Sequence, residues 1–159
     1  YLEARAGLPT ALGSAIAEIE GSRDWQGTLS RLMPVPQHSD LSINNIGLSR
    51  KGVIIFDWED YGNVVLPGFD FLTLILSGLE FSADAADSYF EKHLNDSERD
   101  PSWCKSVADV LGLNTENIFD FIMIVSIVFL YQKQKLGYGT KITQYLETLL
   151  TDAAAQNFK

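Results

Sequence analysis

His38, Asp40, Asn45 and Asp57 stand close together in the run His-Ser-Asp-Leu-Ser-Ile-Asn-Asn-Ile-Gly-Leu-Ser-Arg-Lys-Gly-Val-Ile-Ile-Phe-Asp, residues 38–57. A carboxylate, an amide oxygen and a second carboxylate are the groups that can grip a divalent cation with its phosphates and align an alcohol beside them. The spacing H-x-D-x4-N-x11-D is specific, because three polar groups must converge across a hairpin of one length. Taken separately, each would be an ordinary loop residue. Together they point to a phosphoryl-transfer site.

The elements that must position these groups can be read around them. Ile46 to Ser49 and Val53 to Phe56 are two short apolar runs about a Ser49-Arg50-Lys51-Gly52 turn, which predicts a hairpin. The second run is continuously apolar, so the expectation is a strand buried on both sides, with Asp57 emerging from its end. A carboxylate placed there needs a counter-charge, and a metal ion can supply it. Pro34 and Pro36 hold the chain extended into Gln37 and His38.

The rest reads as helices. Pro9 suits a first helical turn, and Leu12, Ile16 and Ile19 recur at helical spacing up to a stop at Gly21. The stretch from Gly21 to Gly27 reads as a loop, with a short helix over Leu29 to Met33. Beyond Asp70, helices are expected over Phe71 to Leu79, from an Ser82 N-cap to Leu94, and over Pro101 to Leu111. Two more run from Asn117 to Leu136 and from Thr140 to Ala155, punctuated by Gly137 and Gly139. Phe119, Phe121, Ile122, Val125 and Phe129 form a core stripe rather than a cofactor box. The fold class is α+β and mostly helical, with a short hairpin carrying the loop.

Composition excludes several classes. Forty-six per cent hydrophobic and 21% charged residues describe a globular domain, and a net charge of −9 disfavours a nucleic acid polymer or an anionic membrane as partner. The longest apolar run, Ile118 to Tyr131, is interrupted by Asp120 and falls short of the about 20 residues a bilayer span needs. Cys104 is the only cysteine, which suits a reducing cytoplasm and reads as packing rather than a nucleophile. A His38/Asp40/Asp57 zinc site lacks a second histidine or cysteine cluster, and His93 reads as a solvated helix residue.

With those residues in view, the chain resembles the aminoglycoside phosphotransferase and choline kinase superfamily of small-molecule kinases. The resemblance is carried by His38-Ser39-Asp40-Leu41, Asn45-Ile46, Asp57-Trp58-Glu59 and Pro67-Gly68-Phe69-Asp70-Phe71-Leu72, and covers residues 35–75. It implies the C-terminal lobe of a protein-kinase-like fold. In that likeness Asp40 is the catalytic aspartate facing the acceptor hydroxyl, and Asn45 and Asp57 are Mg²⁺ ligands. His38 props the loop, and Asp70 holds its backbone amides. Glu59 is either a surface carboxylate or part of the acceptor pocket. ATP is the implied co-substrate, and an aminoglycoside, an amino alcohol or a sugar the implied acceptor.

Ser39 stands where the family usually has Gly, and Asn44 where a small residue is common; both tolerate unusual backbone angles. No Gly-rich phosphate loop and no strand lysine paired to a helix glutamate is found. Those belong to the N-terminal nucleotide lobe, so the chain reads as residues 1–159 of the C-terminal lobe of a longer protein, inactive without its other half. Ser42, Glu59 and only 12 residues between Asp57 and Asp70 distinguish it from a protein kinase. The alternative is a degenerate kinase-like domain with a binding or scaffolding role.

Overall fold

The computed structural model describes residues 1–94, 102–113, 118–137 and 139–156, with the side chains of residues 91–94, 102–105, 119 and 156 outside that description. The expectations for His93, Cys104 and Phe119, and for helix starts at Pro101 and Asn117, fall outside it. Within it the chain is mostly helical, with one two-stranded antiparallel sheet.

Three helices open the chain: α1 (Leu2–Gly7), α2 (Thr10–Ser22) and α3 (Trp25–Arg31). Pro9 caps α2, and Leu12, Ile16 and Ile19 are buried along one face, as their spacing requires. The third helix corrects the expected loop over Gly21 to Gly27 and the expected helix over Leu29 to Met33. Asp24 is its N-cap: Oδ1 accepts the Gly27 N–H at 2.8 Å. A side chain at Gly27 would run into that carboxylate, so glycine admits the cap. Trp25, fully buried, then anchors the helix to the core.

A single turn of 3-10 helix (Ile43–Asn45) leads into β1 (Ile46–Ser49), which pairs with β2 (Gly52–Ile55) in the register Ile46 to Ile55 and Ser49 to Gly52. The expected burial of the second strand does not hold. Val53 is 64% and Leu48 87% exposed, and Ile54 and Phe56 are open to solvent as well. Val53 and Ile54 lie on opposite faces of the two-stranded ribbon, so neither face is fully covered there by the described residues. An unbroken apolar run cannot by itself distinguish a strand sandwiched in a core from one on an uncovered hairpin.

The helical body follows in α4 (Phe69–Gly78), α5 (Ala83–Leu94), α6 (Ser102–Leu111), α7 (Ile118–Lys135) and α8 (Lys141–Gln156). The Ser82 hydroxyl accepts the Ala85 N–H at 3.3 Å at the head of α5. In α7 every described side chain from Ile118 to Leu130 is buried, so this helix is apolar around its whole circumference. It is the axis of the fold, packed by α1, α3, α4 and α8. Each fully buried Ile, Leu or Phe there contributes about 1.5–3 kcal/mol relative to exposure. The acidic exception, Asp120, is neutralised by Arg23 at 2.7 Å. Among the described residues no helix is long and apolar enough to cross a membrane.

Candidate functional site

The 38–45 loop is held at three points. Its start is tied to the head of α4: Asp70 Oδ2 accepts the His38 N–H at 2.6 Å and Oδ1 accepts the Ser39 N–H at 2.9 Å. Both carboxylate oxygens thus satisfy backbone donors that would otherwise be stranded beside a buried residue. Its middle is tied to the end of α4, where Ser77 Oγ accepts the Ile43 N–H at 2.8 Å. Its end is tied to the hairpin, because the Asn45 carbonyl accepts the Phe56 N–H at 2.9 Å.

The head of α4 can sit this close because of Gly68. Its φ is +83°, and any Cβ there would strike the buried ring of Phe121. One glycine therefore lets the helix that carries Asp70 lie directly on α7.

His38 is 3% exposed. Its ring Nε2 lies 2.7 Å from the Phe56 carbonyl, which can only accept, so Nε2 carries the proton. The ring also packs against Trp58, centroids 4.9 Å apart. His38 therefore joins the loop to the end of β2 through its ring and to the head of α4 through its backbone N–H. Direct proton transfer to a substrate is not what a ring so enclosed is placed to do.

Asn45 does two things at once. Its side-chain Nδ2 donates to the Asp40 carbonyl at 2.9 Å, while its own carbonyl takes the Phe56 amide, one residue before Asp57. Asp40, Asn45 and the start of the Asp57 segment are thereby linked through a single residue. With Nδ2 committed, Oδ1 is the Asn45 side-chain atom left to meet a cation. Asp57 itself is exposed, which corrects the expectation of a carboxylate at the end of a buried strand. Burial does not force a counter-charge upon it. It is instead held at φ +61°, a left-handed conformation uncommon for an aspartate, as is Ser39 at +73°.

Ser39 offsets its backbone cost locally. Its hydroxyl donates to the Gln37 carbonyl at 3.3 Å and accepts the Val64 N–H at 3.0 Å. The extended stretch after Pro34 and the 62–65 turn are further paired through Gln37 N to Val64 O and Gly62 N to Gln37 O, both 2.9 Å. The turn carrying Asp60 and Asn63 is thus fastened beside Asp40.

A cleft of about 720 Å³ opens there. Asp40 and Asp60 line it from the loop side, and Gln132, Lys133 and Lys135 from the end of α7, with Phe129 among its apolar walls. Glu59 is exposed and does not line this cleft; its neighbour Asp60 does. Asn45 and Asp57 do not line it either, so Asp40 is the one of the three that reaches it. Sequence reasoning missed Ser77, the Ser39 hydroxyl and the α7 lysines, because none of them belongs to a local motif. They meet the loop only through tertiary packing.

Asn45 Oδ1 and the Asp57 carboxylate are oxygen donors of the kind that Mg²⁺ takes when phosphates and waters complete its shell. Among the described residues no group of three or more His, Cys, Asp or Glu side chains gathers to hold a metal by itself. Compared with family models, curated proteins and solved structures, the chain matches none of them.

Proposed function

We propose that this chain is the loop-bearing, C-terminal kinase-like lobe of a phosphotransferase that moves the γ-phosphoryl group of ATP to the hydroxyl of a small molecule. The observation that carries the reading is the Asn45 bridge. One residue fastens the Asp40 backbone and the start of the Asp57 segment while leaving an amide oxygen for a cation. That arrangement supports the reading because it keeps the Asp40 and Asp57 segments in fixed register with each other.

In this reading Asn45 and Asp57 hold Mg²⁺, which would neutralise charge on the nucleotide phosphates when bound. Asp40 accepts a hydrogen bond from the acceptor alcohol in the cleft. The alcohol oxygen forms its bond to Pγ as the bond from Pγ to the β,γ-bridging oxygen breaks, and ADP leaves. The alcohol proton passes to the Asp40 carboxylate and from there to solvent. His38 and Asp70 keep the loop in place and touch no reactant. A nucleotide lobe carried elsewhere in the protein supplies the phosphate loop and lysine that this chain lacks.

The test uses the full-length protein with Mg-ATP and a panel of hydroxyl-bearing metabolites, reading ADP release. Asp57→Asn is expected to abolish Mg²⁺-dependent turnover. Asp40→Asn is expected to lower kcat by about 10²–10⁴-fold while nucleotide binding survives. Wild-type turnover in either variant refutes the assigned roles. A well-folded protein that turns over no member of the panel supports the binding or scaffolding role instead.

A further inference from the structure

The segment that carries Asp40 is fastened to one helix at both of its ends. At the near end Asp70 Oδ1 accepts the Ser39 N–H at 2.9 Å, and at the far end Ser77 Oγ accepts the Ile43 N–H at 2.8 Å. Asp70 and Ser77 are seven residues apart in α4, which sets them on one face of the helix, two turns and about 10.5 Å apart. The Ile43 side chain adds to the far hold. It lies over Gly78, where an added Cβ would meet its Cδ1 at 3.6 Å.

The far point is itself fixed. The Ser77 carbonyl accepts the Glu80 N–H at 3.0 Å and the Leu76 carbonyl accepts the Phe81 N–H at 2.8 Å, the paired closure of a Schellman helix end. Its left-handed position ordinarily belongs to glycine; here Glu80 takes it at φ +54°, and Phe81 follows at φ +51°. Two successive side chains in that region cost backbone energy, and they persist only where the surroundings define the turn fully. The helix end that carries Ser77 is closed rather than frayed.

Resting on the phosphotransferase reading, we propose that Ser77 is a positioning residue for Asp40. With Asp70 it makes α4 a rigid span that fixes both ends of residues 39–43, and so sets where the Asp40 carboxylate meets the acceptor. Asn45 follows from the same hold: the 3-10 turn Ile43–Asn45 begins at the Ser77 contact, and Asn45 Nδ2 reaches back to the Asp40 carbonyl at 2.9 Å. Ser77 touches no reactant and acts through the backbone of Ile43. Removing its Oγ frees that backbone while leaving both Asp70 bonds in place.

The experiment compares wild type, Ser77→Ala and Ser77→Thr as full-length protein with Mg-ATP and the panel of hydroxyl-bearing metabolites. Alanine is a better helix former than serine, so a role confined to the helix predicts an equal or higher Tm and an unchanged kcat in Ser77→Ala. The expected result is instead a kcat lower by about tenfold or more, with the KM for ATP in place and Tm not lowered. Ser77→Thr keeps the hydroxyl and should restore kcat to within about threefold of wild type. Amide hydrogen exchange followed by NMR reads the hold without any turnover: the Ile43 N–H should exchange about tenfold faster or more in Ser77→Ala than in wild type. Wild-type kcat in Ser77→Ala, a threonine variant as slow as the alanine one, or an unchanged exchange rate at Ile43 overturns the proposal. If wild type turns over no acceptor, the kinase reading fails and exchange alone decides: lost protection at Ile43 keeps the Ser77 hold on the Asp40 segment, and unchanged protection sinks it.

Discussion

Asp70 is the residue on which the geometry of the loop depends most directly. Its two oxygens take the backbone N–H groups of His38 and Ser39, and the first of these belongs to a buried residue. Asp70→Ala strands both donors at a cost of about 1–3 kcal/mol each where water cannot replace the carboxylate. We expect a net loss of about 2 kcal/mol, and Tm lower by roughly 4–8 °C for a domain of this size. Asp70→Asn, which keeps one acceptor oxygen, should fall between the two. Calorimetry decides it: an unchanged Tm in Asp70→Ala means that the bonds hold nothing. The types and spacing of His38, Asp40, Asn45, Asp57 and Asp70 were legible in the sequence, since the loop and the head of a helix leave local signatures. The Ser39 hydroxyl and the Ser77 contact were not. A serine's partner is set by what packs against it, and no spacing records that.

Among the elements, the helices of the body show themselves by period and punctuation, and the hairpin by its turn. Two failures have physical causes. Helix α3 is hidden because Trp25-Gln-Gly-Thr carries no apolar repeat; the Asp24 cap, the buried Trp25 and Thr28, and Leu29 against the core fix it. Strand β2 misleads because Val-Ile-Ile-Phe is apolar in a place where no layer covers it. That difference is measurable. Val53→Thr, at a position 64% exposed, should shift stability by less than about 0.5 kcal/mol. Leu76→Ala, at 0% exposure within α4, should cost about 2–5 kcal/mol. Denaturant unfolding of the two variants settles it, and a loss above about 1.5 kcal/mol for Val53→Thr would mean that the hairpin is covered in solution. An uncovered apolar hairpin is also an edge that other chains can pair with, a hazard that the acidic surface of this protein counters only by charge.

For the whole molecule, the same acidity shapes the response to pH. Tyr1 and Tyr145 both have phenols pushed above the usual tyrosine range, by burial first; the Glu20 carboxylate adds to the effect at Tyr1 and the Asp87 carboxylate at Tyr145. Their neutral forms are favoured in the fold and less so in the unfolded chain, where tyrosine titrates near about 10. The sign follows directly. The stabilisation is fully present below about pH 10 and declines as pH rises above it, because the unfolded chain then sheds protons that the folded chain retains. Net charge, already −9, grows more negative over the same window and works in the same direction. We expect Tm to be flat from pH 7 to 9 and to fall above pH 10. Tyr145→Phe should make that fall shallower, since it removes one of the buried linked phenols without opening a cavity. Thermal melts of wild type and variant at pH 8 and pH 10.5 provide the comparison. If the variant loses as much Tm between those values as the wild type, the Tyr145 phenol is not a source of the alkaline sensitivity, and general repulsion between carboxylates is the cause.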